Sequence, residues 1–156
     1  MIYYTYHDTK IGEIRLRADD GGLLAVDHVN QQQVTEEEWV SDRCHPILQQ
    51  ATRELDEYFS ATRRTFQVPL NPKGTKFQLQ VWNALTTIPY GETATYSDIA
   101  QKIDNPKAVR AVGAANGKNP LSIFIPCHRV IGKQGKLVGY AGGVEVKKIL
   151  LSLEIF

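Results

Sequence analysis

One run of residues restricts the fold more than any other: Ile123-Phe124-Ile125-Pro126-Cys127-His128-Arg129-Val130-Ile131. Its apolar members read as a buried strand on either side of a break, bounded by Gly117 and Pro120 before and by Gly132 and Gly135 after. The fold must therefore set a thiol, an imidazole and a guanidinium inside a core. Adjacent side chains on a strand point to opposite faces, so His128 meets Cys127 only if the backbone turns there, and Pro126 supplies such an irregularity. Only the thiolate attacks carbon. A working Cys127 needs neighbouring cations or a base, and His128 and Arg129 are the candidates. An inert core cysteine would look the same in this run alone.

The first thirty residues behave differently. Met1 to Tyr6, Ile11 to Ala18 and Leu23 to Val29 are apolar-rich and separated by Asp8-Thr9 and Asp19-Asp20-Gly21-Gly22, steps that favour tight turns, so an antiparallel meander is expected. Asn30 to Arg43 is polar and reads as a loop with an acidic turn at Glu36 to Glu38. Pro46 opens a helix whose Ile47, Leu48, Ala51, Leu55, Tyr58 and Phe59 recur at three- and four-residue steps, one apolar face to cover the sheet. Phe66 to Leu70 reads as a further strand. Asn71-Pro72-Lys73-Gly74 is the linker, giving an N-terminal sheet-and-helix domain over 1–72 and a C-terminal domain over 73–156.

In the second half, Thr75 caps a helix carrying Phe77, Val81, Trp82 and Leu85 that stops before Ile88-Pro89. Thr95 and Asp98 have the spacing of a capping box for a short helix through Ile103. Pro106 stands at the first position of a second helix, Lys107 to Asn116, and the pair makes a helix-turn-helix. Ala108, Ala111, Gly113, Ala114 and Ala115 leave the second helix nearly bare, with Val109 and Val112 to pack inward and Arg110 as its one long side chain past the first turn. A thin helix approaches another surface closely, either inside the protein or in a DNA groove. Gly139-Tyr140-Ala141-Gly142-Gly143 is a loop with one aromatic side chain, and a last helix runs from Val144 to about Leu153, bringing Glu154 to its end.

Charge separates the halves. Residues 1–96 hold 9 Lys/Arg and 13 Asp/Glu, 9 − 13 = −4, whereas residues 97–148 hold 9 Lys/Arg and 3 Asp/Glu, 9 − 3 = +6. The basic half contains the thiol, and clustered cations suit a phosphate backbone as well as a solvated face. Cys44 and Cys127 are the only cysteines, too few for a disulfide framework and without zinc-site spacing, so reduced thiols and no metal are expected. With no apolar run of transmembrane length and no signal-like start, a cytoplasmic protein with no membrane partner is expected.

Asn105-Pro106-Lys107-Ala108-Val109-Arg110-Ala111-Val112-Gly113, Asn119-Pro120, Pro126-Cys127-His128-Arg129-Val130, Gly139-Tyr140-Ala141-Gly142-Gly143 and Lys147…Leu150-Leu151…Glu154 together resemble the O6-alkylguanine-DNA alkyltransferases. The match runs almost without gaps from about Phe77 to Glu154. Residues 1–70 agree only in layout, a small sheet with a helix resembling a ribonuclease-H-like fold, within an α/β (α+β) class.

The resemblance implies direct DNA repair without cofactor. Cys127 would accept an alkyl group from guanine O6 in one in-line displacement and be consumed, and His128 would pass the thiol proton through a water toward Glu154. Asn119 would brace the join beside the site. Tyr140 would donate to the purine, backbone groups near Cys127, Val130 and Ala141 would read its edge, and Tyr96 would crowd the target phosphate. Arg110 would fill the gap left by a flipped-out nucleotide, with Lys107, Ala108 and Arg129 also on DNA. The implied partner is double-stranded DNA containing O6-alkylguanine, met by a monomer, with O4-alkylthymine as a second candidate substrate. Flipping follows from geometry, since a buried thiol cannot reach a stacked base. Three other readings compete: a damage-binding protein without transfer, which Cys127 argues against; a cysteine hydrolase, whose His comes from a distant segment; and a transcription regulator, which needs major-groove readers that five Ala/Gly residues do not supply.

Overall fold

A computed structural model describes residues 1–29, 35–132, 135, 140 and 143–155. They form two compact units, Met1–Lys73 and Gly74–Phe156.

The first unit is built on the expected meander: β1 (Tyr3–Thr9), β2 (Gly12–Asp19) and β3 (Gly22–His28), paired antiparallel, with a register shift opposite Arg17 and Ala18 where β3 carries the extra residue Leu24. On β2 the alternation of a half-buried strand is clear. Ile14, Leu16 and Ala18 are buried, while Arg15 and Arg17 on the other face share Asp27 of β3 and lie over the Trp39 ring. β4 (Val40–Ser41), within the segment expected as a loop, adds in parallel to β1, giving the order β3-β2-β1-β4; two residues carry no periodicity that sequence could show.

α1 (Pro46–Phe59) packs on β1, β2 and β3 through Leu48, Ala51, Leu55, Tyr58 and Phe59, the stripe read from the sequence. The strand expected over Phe66–Leu70 is corrected to a single bridge, Leu23 with Leu70. The cause is Glu54, a buried carboxylate of α1 whose Oε1 accepts from Gln67 N and Val68 N at 2.9 and 3.1 Å, so those amides are not available to a sheet.

In the second unit α2 (Lys76–Leu85) starts at a full capping box, Thr75 with Gln78, and its Trp82 donates Nε1–H to Ala115 O at 2.8 Å, tying α2 to α4 (Val109–Gly117). Gly74 has no Cβ because one would stand 2.6 Å from the Trp82 ring. α3 (Tyr96–Lys102) begins at the expected Thr95/Asp98 box. α4 starts two residues later than expected: Pro106 and Lys107 sit in a turn closed by Ala108 N to Asn105 O at 3.0 Å, and Ala108 caps the helix with no side-chain bond. Val112 is fully buried, but Val109, expected inside, is 36% exposed.

The strand expected over Ile123–Ile131 is corrected too. All its residues but Ile131 are buried, yet only β6 (Val130–Ile131) is strand, paired in parallel with β5 (Ala94–Thr95) just ahead of α3. Before it, Ile123 adopts φ 78°, a left-handed conformation that costs a β-branched residue steric energy, and Ser122 bridges Ile125. α5 (Val144–Glu154) closes the unit. The expected loop Gly139–Gly143 lies outside the described residues except for Tyr140 and Gly143.

Candidate active site

The reactive turn is held from both sides. Asn119 donates Nδ2–H to Ile125 O at 2.9 Å and accepts at Oδ1 from Leu121 N at 3.0 Å, clamping the strained turn that delivers Cys127. Cys127, His128 and Arg129 then form one turn of 3-10 helix, the irregularity Pro126 implied. At three residues per turn, successive side chains stand about 120° apart instead of on opposite faces as in a strand.

His128 is fully buried. Its Nε2 lies 2.6 Å from Glu154 Oε2 at the end of α5. A carboxylate only accepts, so Nε2 carries the hydrogen and Nδ1 carries the lone pair; among the described residues Nδ1 has no hydrogen-bond partner. Burial holds the imidazole pKa below its ordinary value, helped by Arg129 and Lys147 and opposed by Glu154. His128 is thus a neutral base with its free nitrogen available.

Arg129, expected on DNA, is corrected to an interior position. It is 6% exposed, and its Nε and Nη2 donate to Glu154 Oε1 and Oε2 at 2.7 and 3.1 Å while Nη1 donates to Ile88 O at 2.7 Å, with Tyr90 against its face. All three nitrogens are taken up inside, so the side chain orients Glu154. Gly91, at φ 81°, adds its amide to Glu154 Oε1 at 3.4 Å.

The thiol itself is not a preformed thiolate. Burial pushes the Cys127 pKa up to about 11, against the Asn119 hydrogen bond and the charge of Lys147. Neither His128 nor Arg129 is the cation beside it. Lys147 is, a residue the sequence reading assigned no role. It is fully buried on α5 and donates to Val130 O, and burial lowers its pKa while the thiol opposes that. Its signal was in the spacing: Lys147, Leu150 and Glu154 occur at i, i+3 and i+7, the inward stripe of α5.

Two phenols complete the surroundings. Tyr140 is buried, and burial, then the Cys127 charge, hold its pKa well above the ordinary value, with Ser122 opposing. Tyr96 is raised by burial and by Cys127, and its ring lies 3.9 Å from the place a Cβ on Gly113 would occupy. Both stay protonated and able to donate. Cys127, His128, Glu154, Asn119, Val130, Tyr140 and Tyr96 are therefore brought together; Lys107 and Arg110 stand exposed around the start of α4 beside half-buried Ala108, and Ala141 lies outside the described residues.

Known proteins resemble this chain in sequence and in fold. Residues 76–155 match the family described as 6-O-methylguanine DNA methyltransferase, DNA binding domain, and residues 2–72 match its ribonuclease-like domain. A methylated-DNA-protein-cysteine methyltransferase of Methanosarcina acetivorans is 48% identical over 155 residues, 98% of each chain, and the constitutive one of Bacillus subtilis is 46% identical over 158 residues, 99% of this chain and 96% of its own. The crystal structure of the Mycobacterium tuberculosis O6-methylguanine methyltransferase superposes with a TM-score of 0.91 at 43% identity, covering 99% of this chain and 93% of that one. A second, of M. tuberculosis OGT in complex with DNA, gives 0.88 at 44% identity over 98% and 92%. With both domain families matched and near-complete coverage at this identity, the chain belongs to the methylated-DNA-protein-cysteine methyltransferase family.

Proposed function

We propose that this chain repairs DNA by moving an alkyl group from guanine O6 in a duplex onto Cys127, irreversibly and once per molecule. The buried series Cys127, His128, Glu154 carries the reading: a protonated thiol beside a neutral imidazole whose other nitrogen is held by a carboxylate. The thiol proton passes to His128 Nδ1 through one bridging water as Sγ attacks the alkyl carbon. The S–C bond forms, the C–O6 bond breaks, and its electron pair leaves on the purine. A donor must meet that developing charge, and the Tyr140 hydroxyl, kept protonated by burial, serves. The product is a thioether, a poor leaving group, so no turnover follows.

The base reaches the thiol by flipping. The α3–α4 helix-turn-helix enters the minor groove with its small-residue face, Lys107 rests on phosphate, Arg110 occupies the vacated place in the stack, and Tyr96 crowds the target phosphate. O4-alkylthymine is a second substrate of the same chemistry. The test is the mass of the intact protein after incubation with a duplex carrying one O6-methylguanine, followed by peptide mapping. One added CH2 on the Cys127 peptide, without turnover, is expected; an unchanged mass with DNA still bound leaves a damage-binding protein instead.

A further inference from the structure

Asn116, on the last full turn of α4, has a side chain that the chemistry above does not use. It is 2% exposed, and among the described residues neither Oδ1 nor Nδ2 has a hydrogen-bond partner. Folded proteins leave few buried amides unpaired, and a carboxamide offers a donor and an acceptor side by side. Its place on the helix indicates where partners come from. At 100° per residue Asn116 lies between fully buried Val112 and Gly113, and Gly113 is the position that faces the Tyr96 ring. Three residues on, Asn119 N donates to Asn116 O at 3.3 Å, and the Asn119 side chain clamps the turn that delivers the Cys127 thiol. Asn116 is thus flanked by the two residues, Tyr96 and Asn119, whose polar groups bear on the thiol.

We infer that the Asn116 carboxamide is a specificity contact to the extruded purine, pairing with an adjacent acceptor and donor on the base. The inference rests on the alkyl-transfer reading. A site built to hydrogen-bond its substrate rejects bases lacking the matching groups, because its own polar atoms are then left buried and unpaired. O6-alkylation supplies the match: it removes the N1 hydrogen of guanine and leaves N1 an acceptor next to the N2 amine donor. Unmodified guanine presents two donors there and pairs with only one end of the carboxamide.

Asn116→Leu separates this role from a structural one, since leucine has nearly the same shape and no polar atoms. The melting temperature should hold or rise, and alkyl transfer should slow about tenfold both from O6-methylguanine in a duplex and from free O6-benzylguanine. If the leucine chain does not fold, Asn116→Ala, which is smaller than Asn, gives the same comparison. A variant that reacts as fast as wild type on both substrates overturns the inference, as does a loss confined to the duplex, which would make Asn116 a determinant of DNA docking. Wild-type chain is the control: if it transfers nothing, the alkyl-transfer reading itself falls and this contact with it, whereas wild-type transfer beside an equally fast variant overturns the contact alone.

Discussion

Replacing Glu154 by Gln separates the two tasks of its carboxylate. That group accepts from His128 Nε2 at 2.6 Å and from Arg129 Nε and Nη2 at 2.7 and 3.1 Å, all of them buried. Glutamine keeps the shape but removes the charge, leaving the Arg129 guanidinium inside without its counter-ion. Breaking a buried pair on one side costs about 3–5 kcal/mol. At roughly 2–4 °C per kcal/mol for a chain of this size, melting should fall by on the order of 10 °C. Adding Arg129→Met removes the orphaned charge and should restore most of that loss.

Activity follows a different rule. The His128 pKa is lowered by burial, raised by Glu154, and lowered by Arg129 and Lys147. Glu154→Gln therefore pushes it further down, and Arg129→Met alone lets it rise. Because the neutral imidazole is the base, transfer is lost as pH falls through that pKa, so the acid limb of the rate profile moves to lower pH in the first variant and to higher pH in the second. Single-turnover transfer from free benzylguanine across the acid and neutral range reads this without DNA docking. Acid limbs that coincide with wild type in both variants would refute the assignment of His128 as base, and an undiminished melting temperature in Glu154→Gln would refute the buried-pair argument.

Three further outcomes are expected. Arg110→Ala should slow repair of duplex O6-methylguanine by roughly 10- to 100-fold, since unstacking a base costs a few kcal/mol, while leaving free benzylguanine unaffected; equal losses would make Arg110 structural. Lys147→Met removes the cation beside the thiol, so the alkaline limb, where the free Cys127 thiolate reacts with benzylguanine, should move up by about one to three pH units, the range of one nearby opposite charge, and superimposable profiles would contradict it. Cys127 binds its proton more tightly folded, at about 11, than in an ordinary thiol, at 9.0, so the stability this gives is whole below pH 9 and is lost as pH rises through 11. Two pKa units amount to about 3 kcal/mol, and in denaturant melts the stability of wild type relative to Cys127→Ser should fall by this amount across that window.

How far the sequence foretold all this depended on how local each signal was. The Thr75/Gln78 and Thr95/Asp98 boxes satisfy their backbone amides within three residues, so the starts of α2 and α3 could be read without knowing the fold. The same holds for the meander, whose turns are fixed by Asp19 to Gly22, and for the α1 stripe. Ile123 to Ile125 could not be read this way. A short apolar run is buried in either conformation, and here the choice is made by Asn119, whose carboxamide clamps the turn. Phe66 to Leu70 failed for a related reason: its amides are taken by Glu54, a residue twelve or more positions away.

Charge was the least legible property, because counting it assumes exposure. Of the nine cations behind the +6 of residues 97–148, Arg129 and Lys147 lie inside the site, so the excess available to phosphate is smaller than the sum and the excess available to the thiol is larger. The resemblance located Cys127, His128 and Glu154 but put Arg129 on the wrong side of the surface and gave Lys147 no task. Periodicity alone would have corrected half of this. A helix that turns Lys147, Leu150 and Glu154 inward at i, i+3 and i+7 places two opposite charges on its core face, where burial penalises each of them unless it is paired. Lys147 is answered by Val130 O and the thiol, Glu154 by His128 and Arg129. Charges on the buried stripe of an amphipathic helix thus point to a site more sharply than a charge sum does, because the fold can keep them only where a partner has been built.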